Sequence, residues 1–313
     1  MSENAKKYSY TEIDTYEQCA FKYKLKYIDK NYVKTPAIAL EIGTLIHSTE
    51  ETIANKIKAN EPINYDELKS SVVEKLETIR SRYPVEWEAE DKSGRTYNDK
   101  LYMYLKEGIY RLENFMRANP DLEIVAAEQK FLFEYKGKLF RGSIDRVLRN
   151  KATNKYIIQD IKTYAVPVEK DKLRVPLQFV VYVLAAMDLY KLPVDSFSCQ
   201  YDLPFCNVDQ DAGQANFVDL GQVKLDEIFK AIEDQEFEPK QQFLCYWCEY
   251  CKSNPNAPEE SKYLCPYYSH WTKQRHDFSR ENKWEGLENH EKIMEKYKIS
   301  VNLDKALKEA FKF

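Results

Sequence analysis

The 313-residue sequence predicts an α/β fold, an antiparallel meander flanked by helices, with a helical lobe inserted ahead of it. Three observations predict it. The runs EIVAAEQKFLFEY, KLFRGSIDRVLR and KYIIQDIKTY are rich in aromatic and β-branched residues, and turns at Lys136-Gly137 and over residues 150–154 separate them. Helical spacing brackets these runs, with Tyr16, Ala20, Tyr23 and Tyr27 upstream and Phe179, Val183, Ala186 and Leu189 downstream. Residues 64–116 are charged, punctuated by Tyr and Leu, and helical in pattern throughout.

In chain order, Ser9 followed by Glu12 is a capping-box pattern that opens a helix near Tyr10, with Cys19 midway along it. A second helix is expected from about Ile42 in EIGTLIHSTEETIANKIKA. The inserted lobe follows and ends at Asn119-Pro120. Beyond the meander come a helix over about 172–190, a strand over 197–203, a helix over 225–233 and a cysteine-rich loop. After Trp271 the tail is polar with two short helical patterns, and the sequence assigns it no role.

Composition is that of an ordinary globular chain, 43% hydrophobic and 31% charged. A net charge of −4 does not by itself mark a nucleic-acid binder. Locally, however, Lys22, Lys24, Lys26, Lys30 and Lys34 face only Asp29, with Tyr23, Tyr27 and Tyr32 interleaved. That pattern suits a phosphate-tracking, base-stacking surface, and equally a solvated helix face over a Tyr-lined core. No apolar run reaches the roughly 18–20 residues of a membrane span, and MSENAKKYSY lacks a signal-peptide core. The expected location is therefore cytoplasmic, with no membrane partner. Seven cysteines, an odd number, argue against a disulfide framework in such a compartment.

The chemistry concentrates in GSIDRVLRNKATNKYIIQDIKTY. Side chains two apart on a strand share a face, so Asp160 and Lys162 point the same way. Antiparallel pairing through the 150–154 turn brings Asp145 to the Asp160 region. Two carboxylates and an ammonium there are either a hairpin with surface ion pairs or a metal site. Hard divalent cations prefer such carboxylates, and a neighbouring lysine orients or deprotonates a water.

Gly142-Ser-Ile-Asp145-Arg, then Asp160-Ile-Lys162-Thr163, then Gln178 and Tyr182 four residues apart resemble the core of the RecB-type PD-(D/E)XK nucleases. Gly43 and His47 resemble that family's upstream Gly-x-x-x-His motif, and Glu128 stands where a Glu commonly precedes the first Asp. The resemblance runs from about residue 9 to residue 266, leaving out residues 60–118 and the tail. It implies a restriction-endonuclease-like mixed β-sheet core flanked by helices. It further implies His47, Asp145, Asp160 and the Ile161 carbonyl as ligands of Mg²⁺ or Mn²⁺, and Lys162 as the catalytic lysine. Glu128, Gln178 and Tyr182 would contact substrate or brace the site. The domain organisation expected is N-terminal helices of the nuclease domain at 1–60, the helical insertion at 61–120, core and cysteine loop at 121–268, and the tail at 269–313.

Four of the seven cysteines, Cys245, Cys248, Cys251 and Cys265, fall within 21 residues. By spacing alone they read as a closed zinc site or an iron–sulfur ligand set. An iron–sulfur subfamily of RecB-type nucleases places one cysteine on an N-terminal helix and three beyond the core. SYTEIDTYEQCAFKYKLKYID and the cysteine loop resemble that arrangement, implying a 4Fe–4S cluster on Cys19, Cys245, Cys248 and Cys265. Such a cluster would tie the N-terminal helix to the core. Cys251 and the 16-residue gap between Cys248 and Cys265 depart from the pattern, so Cys251 remains an alternative ligand. Cys199 and Cys206 read as ordinary buried or hairpin cysteines.

The function implied is a metal-dependent DNA exonuclease acting at ends, in recombination, repair or phage DNA metabolism, related to CRISPR-adaptation exonucleases and the nuclease domains of helicase-nucleases. No Walker A loop occurs, so a helicase or recombination partner is expected on a separate chain, in a bacterial or phage-infected cell. The alternatives are a metal-stapled DNA-binding subunit with an idle nuclease site, and a zinc-loop interaction protein without the nuclease fold.

Overall fold

The computed structural model describes residues 6–33, 37–90, 94–164, 167–168, 175–240, 242–252, 254 and 256–265. The polar tail and the start of the helix expected from about 172 lie outside the described residues. Along the chain the elements are β1 (Lys7–Tyr8), α1 (Tyr10–Gln18), α2 (Ala20–Tyr23) running into a π-helical segment (Lys24–Ile28), α3 (Ile38–Lys58), α4 (Tyr65–Arg82), α5 (Pro84–Glu88), α6 (Tyr97–Lys106) and α7 (Arg111–Ala118). Then follow β2 (Leu122–Tyr135), β3 (Lys138–Asn150), β4 (Tyr156–Ile161), α8 (Leu177–Tyr190), β5 (Phe197–Leu203), β6 (Val208–Gln214) and α9 (Val218–Glu233). The chain divides into two units, Met1–Tyr10 with Pro36–Asp226, and Thr11–Thr35 with Glu227–Phe313.

In the first unit the strands form one mixed sheet, ordered β1-β3-β4-β5-β6, with β2 also on β3. The expected meander is β2, β3 and β4, all antiparallel. At its first turn Lys136 and Gly137 have φ of 47° and 79°, the pair of left-handed residues that a tight two-residue hairpin needs. The α8 crossover sets β5 parallel to β4, and β6 returns antiparallel to β5. The sequence did not announce β6: VDQDAGQ has one β-branched residue and no apolar alternation, so its pairing with β5 carries it. Likewise α9 begins seven residues earlier than expected, and α3 four residues earlier.

The segment expected as a helical insertion forms α4 to α7. Val72, Leu76, Ile79, Trp87, Leu101, Tyr104 and Ile109 bury one apolar side, in a cluster shared with Ile42, Ile46 and Ile53 of α3. Burying each such large side chain stabilises by about 1.5–3 kcal/mol, so α3 is anchored along its length by the lobe. The opposite edge of α3 carries His47.

In the second unit one expectation is corrected. Cys19 does not lie midway along a helix; its backbone is extended (φ −164°, ψ 111°) and separates α1 from α2. The tyrosine stripe survives the break. Tyr16 meets Tyr23 edge-on at 5.4 Å, and Tyr23 stacks on Phe237 at 6.1 Å. The break presents the Cys19 sulfur to the Lys240 N–H, which donates to it at 3.5 Å. The basic segment is partly neutralised: Lys22 lies 2.9 Å from Glu249 and Lys24 lies 2.7 Å from Asp29. Those pairs favour a packed and solvated face over an open phosphate track.

Candidate active site

The β3–β4 register, with Arg146 opposite Gln159, continues to set Asp145 beside Asp160. Asp145 Oδ2 accepts the Ile161 N–H at 2.7 Å, which fixes the carboxylate at the end of β4. Its other oxygen lies 3.6 Å from His47 Nδ1. Across β3, Glu128 sits between the pairs Ala127–Arg146 and Gln129–Ile144, and so opposite Asp145. Its φ is +48°, a left-handed conformation that is costly for a residue with a Cβ and rare within a strand. One ligand atom each from His47, Glu128 and Asp145 falls within 4.8 Å of the others. Two carboxylates and an imidazole at that spacing are a donor set for a small divalent cation.

Asp160 stands next to this group and is differently engaged. It is 1% exposed, and its Oδ2 lies 2.7 Å from Lys162 Nζ. Lys162 in turn donates to Gln178 Oε1 at 2.9 Å, and Gln178 Nε2 donates to the Tyr182 hydroxyl at 2.9 Å. Helical spacing of four on α8 puts Gln178 and Tyr182 on one face, as expected. The sequence-assigned residues therefore form two joined groups, His47–Glu128–Asp145 and Asp160–Lys162–Gln178–Tyr182. Ile161 links them through its N–H.

Electrostatics differ between the two groups. Burial opposes charging of His47, but the hydrogen bond and charge of Asp145 outweigh it and hold the imidazole above its usual value. Burial raises Glu128. Burial pushes Asp160 up to about 7, against the pull of Lys162 and with the push of Asp145. For Lys162, burial lowers and Asp160 raises, and the carboxylate wins, so the ammonium stays charged. A lysine held charged is suited to neutralising developing negative charge and poorly suited to act as a base.

A buried ionic network behind the site was not foreseen. Arg146 Nη1 donates to Gln159 at 3.0 Å and to Asp202 at 2.6 Å, and Arg146 Nη2 donates to Glu50 at 3.3 Å. Arg111 bonds Asp202 and also Asp209, the latter at 2.5 Å, and the Tyr104 hydroxyl donates to Glu50 at 3.0 Å. Glu50, one turn beyond His47 on α3, is thereby joined to β3, the strand of Asp145, and to β5. A signal was present: Arg146 adjoins Asp145, and Glu50 lies at helical spacing from Ile46 and Ile53.

In the second unit Cys19, Cys245, Cys248, Cys251 and Cys265 all line one pocket, together with Lys22 and Lys240. The Gln242 N–H donates to the Cys245 sulfur at 3.4 Å. The neighbouring Cys251 thiol, backbone N–H donors and the Lys22 ammonium lower Cys245 and Cys248 toward the thiolate form that metals require, while burial raises Cys19. The residues present thus fit a thiolate-bound metal group. Cys199 is buried in β5, and Cys206 lies in the β5–β6 turn.

The chain matches the PD-(D/E)XK nuclease superfamily over residues 7–254, and it belongs to that family. It is 28% identical over 205 residues to one of the subunits of the ATP-dependent helicase/deoxyribonuclease of Carboxydothermus hydrogenoformans, a match covering 59% of this chain and 19% of that protein. The chain therefore aligns with about a fifth of its relative. Among solved structures, a putative exonuclease from Eubacterium rectale aligns at a TM-score of 0.43 and 12% identity, over 79% of this chain and 91% of that one. The assignment does not rest on that likeness. Among the described residues no helix is long and apolar enough to cross a membrane.

Proposed function

We propose that this nuclease is a Mg²⁺- or Mn²⁺-dependent deoxyribonuclease that hydrolyses phosphodiester bonds at DNA ends. The observation that carries the reading is the convergence of His47, Glu128 and Asp145 beside the Asp160–Lys162 pair. His47, Glu128 and Asp145 would hold the cation, with Asp160 and the Ile161 carbonyl as further ligands. Bound there, a divalent ion supplies a Lewis acid for the phosphoryl oxygen and lowers the pKa of water. Water adds to phosphorus and releases a proton to solvent as the bond to the leaving 3′-oxygen breaks, and that oxygen takes up a proton from solvent. The charged Lys162 lies where it can offset the negative charge gathering on the phosphoryl group. Gln178, braced by Tyr182, fixes the position of Lys162. We further propose that the cysteine pocket holds a 4Fe–4S cluster, supported by its thiols and the N–H donors around them. A cytoplasmic setting and a separate helicase partner complete the reading. The relative's name joins helicase and deoxyribonuclease in one description, and that supports the partner.

The test is digestion of end-labelled linear DNA and covalently closed circular DNA, single- and double-stranded, with Mg²⁺, Mn²⁺ or EDTA. The expected result is metal-dependent loss of linear DNA with circles spared, lowered about 10²–10³-fold by Lys162→Ala. Cleavage of circles at the linear rate would overturn the end-specific reading, and equal activity of Lys162→Ala would overturn the site.

A further inference from the structure

The cysteine pocket holds one thiol more than a four-iron cluster uses. Three of its cysteines are delivered by an unusual run of backbone turns. The N–H of Cys245 bonds the Gln242 carbonyl at 2.9 Å, that of Cys248 the Cys245 carbonyl at 3.2 Å, and that of Cys251 the Cys248 carbonyl at 3.1 Å. Asn254 repeats the step onto the Cys251 carbonyl at 3.1 Å, and its side chain donates to the Cys248 carbonyl at 3.2 Å. These successive reverse turns, broken by the extended backbone of Cys248 (φ −76°, ψ 130°), deliver all three cysteines to the one pocket. Cys265 arrives from the other direction. Its N–H bonds the Tyr250 carbonyl at 3.2 Å, which pins it next to Cys251. The Cys251 sulfur lies beside those of Cys245, Cys248 and Cys265.

Cys251 is therefore no stray thiol. It is 1% exposed, at the centre of the group, while Cys265 is only half-buried. The Cys251 and Cys265 sulfurs lie beside one another and both lie close to Cys245 in the same pocket, so both are within reach of the same coordination position. Resting on the iron–sulfur reading above, we infer that Cys251 and Cys265 are interchangeable fourth ligands, with Cys19, Cys245 and Cys248 as the fixed three. The consequence is tolerance. Cys265 is the more accessible of the two and the more open to oxidation, and its loss leaves a buried replacement already in place.

The experiment uses the full chain, purified anaerobically as wild type, Cys251→Ala, Cys265→Ala and the double variant. Iron and acid-labile sulfide per chain are measured together with the visible absorption of the cluster. Wild type and both single variants are expected to keep about four irons, with the two singles differing in absorption band shape, and the double variant to fall below half. A near-complete loss in either single variant overturns the inference, because one cysteine is then indispensable. A double variant that keeps its cluster overturns it as well. Circular dichroism and a thermal melt of the double variant separate loss of ligand from loss of fold, and the single variants decide the question even if the double does not fold. Wild type without iron and sulfide would instead refute the iron–sulfur reading. If that protein carries zinc, zinc content across the same four proteins tests interchangeability directly.

Discussion

At the scale of single residues, Glu128 is the most informative position. Its left-handed backbone lies within β2, directly opposite Asp145 and four residues beyond the register shift at Ile124. Strain of this kind persists where surrounding structure enforces it, and here it brings the carboxylate to His47 and Asp145. Glycine adopts that conformation freely, whereas alanine carries a penalty of about 1–2 kcal/mol. Glu128→Gly is therefore expected to be more stable than Glu128→Ala by about 1 kcal/mol in urea unfolding, with both variants losing metal-dependent cleavage. Equal stabilities would show that the backbone at this position is not under strain. The sequence assigned Glu128 a place in the site through the family pattern alone. Nothing in EIVAAEQKFLFEY signals the left-handed residue, since backbone strain is a product of the assembled sheet.

At the scale of elements, two pairings position the site and each is open to test. The first is the ionic network joining α3 to the sheet. Burial raises Glu50 to about 7, together with repulsion from Asp202 and against the pull of Arg146 and Arg111. A carboxyl raised from its ordinary value of 4.5 binds more protons folded than unfolded between about pH 4.5 and 7. Its contribution to stability is therefore fully present at the acid end of that window and is lost as pH rises through it. Glu50→Gln retains an acceptor for Tyr104 and Arg146 but cannot ionise. Urea unfolding at pH 5 and pH 8 should show a larger loss of stability with rising pH in wild type than in Glu50→Gln; identical slopes would contradict the assignment. The second pairing is the crossing of α8 and α9. A Cβ on Gly221 would stand 2.2 Å from a methyl of Val180, too close for any real contact. Gly221→Ala should destabilise by about 1–3 kcal/mol despite its better helix propensity, and Val180→Ala should recover part of that loss in the double variant. Additive losses would mean that the helices do not cross there.

These elements also show where sequence is readable and where it is not. The meander, α3 and α8 were legible because their apolar periodicities and turn residues are strong and local. The network around Arg146 was not, since its charges come from α3, α7, β3, β5 and β6, and only the completed fold brings them together. The break at Cys19 was hidden for a similar reason: its flanking residues keep helical spacing on both sides. Cys251 was visible as an irregularity, and the successive three-residue turns give that irregularity a structural basis.

At the scale of the whole molecule, two units carry two distinct kinds of candidate donor set, hard oxygen and nitrogen donors in one and thiols in the other. The match to the nuclease family, over residues 7–254, takes in the first set and all of the second except Cys265. In the function proposed for the first unit, His47, Glu128 and Asp145 would hold the ion that enables cleavage, beside a charged Lys162. The direct measurement is the initial rate of Mn²⁺-dependent hydrolysis of an end-labelled DNA strand by wild type and Asp145→Asn, across a Mn²⁺ titration. The account predicts a rate lower by about 10²-fold or more in Asp145→Asn at every Mn²⁺ concentration that saturates wild type. A variant that cleaves within twofold of wild type over that range would contradict it.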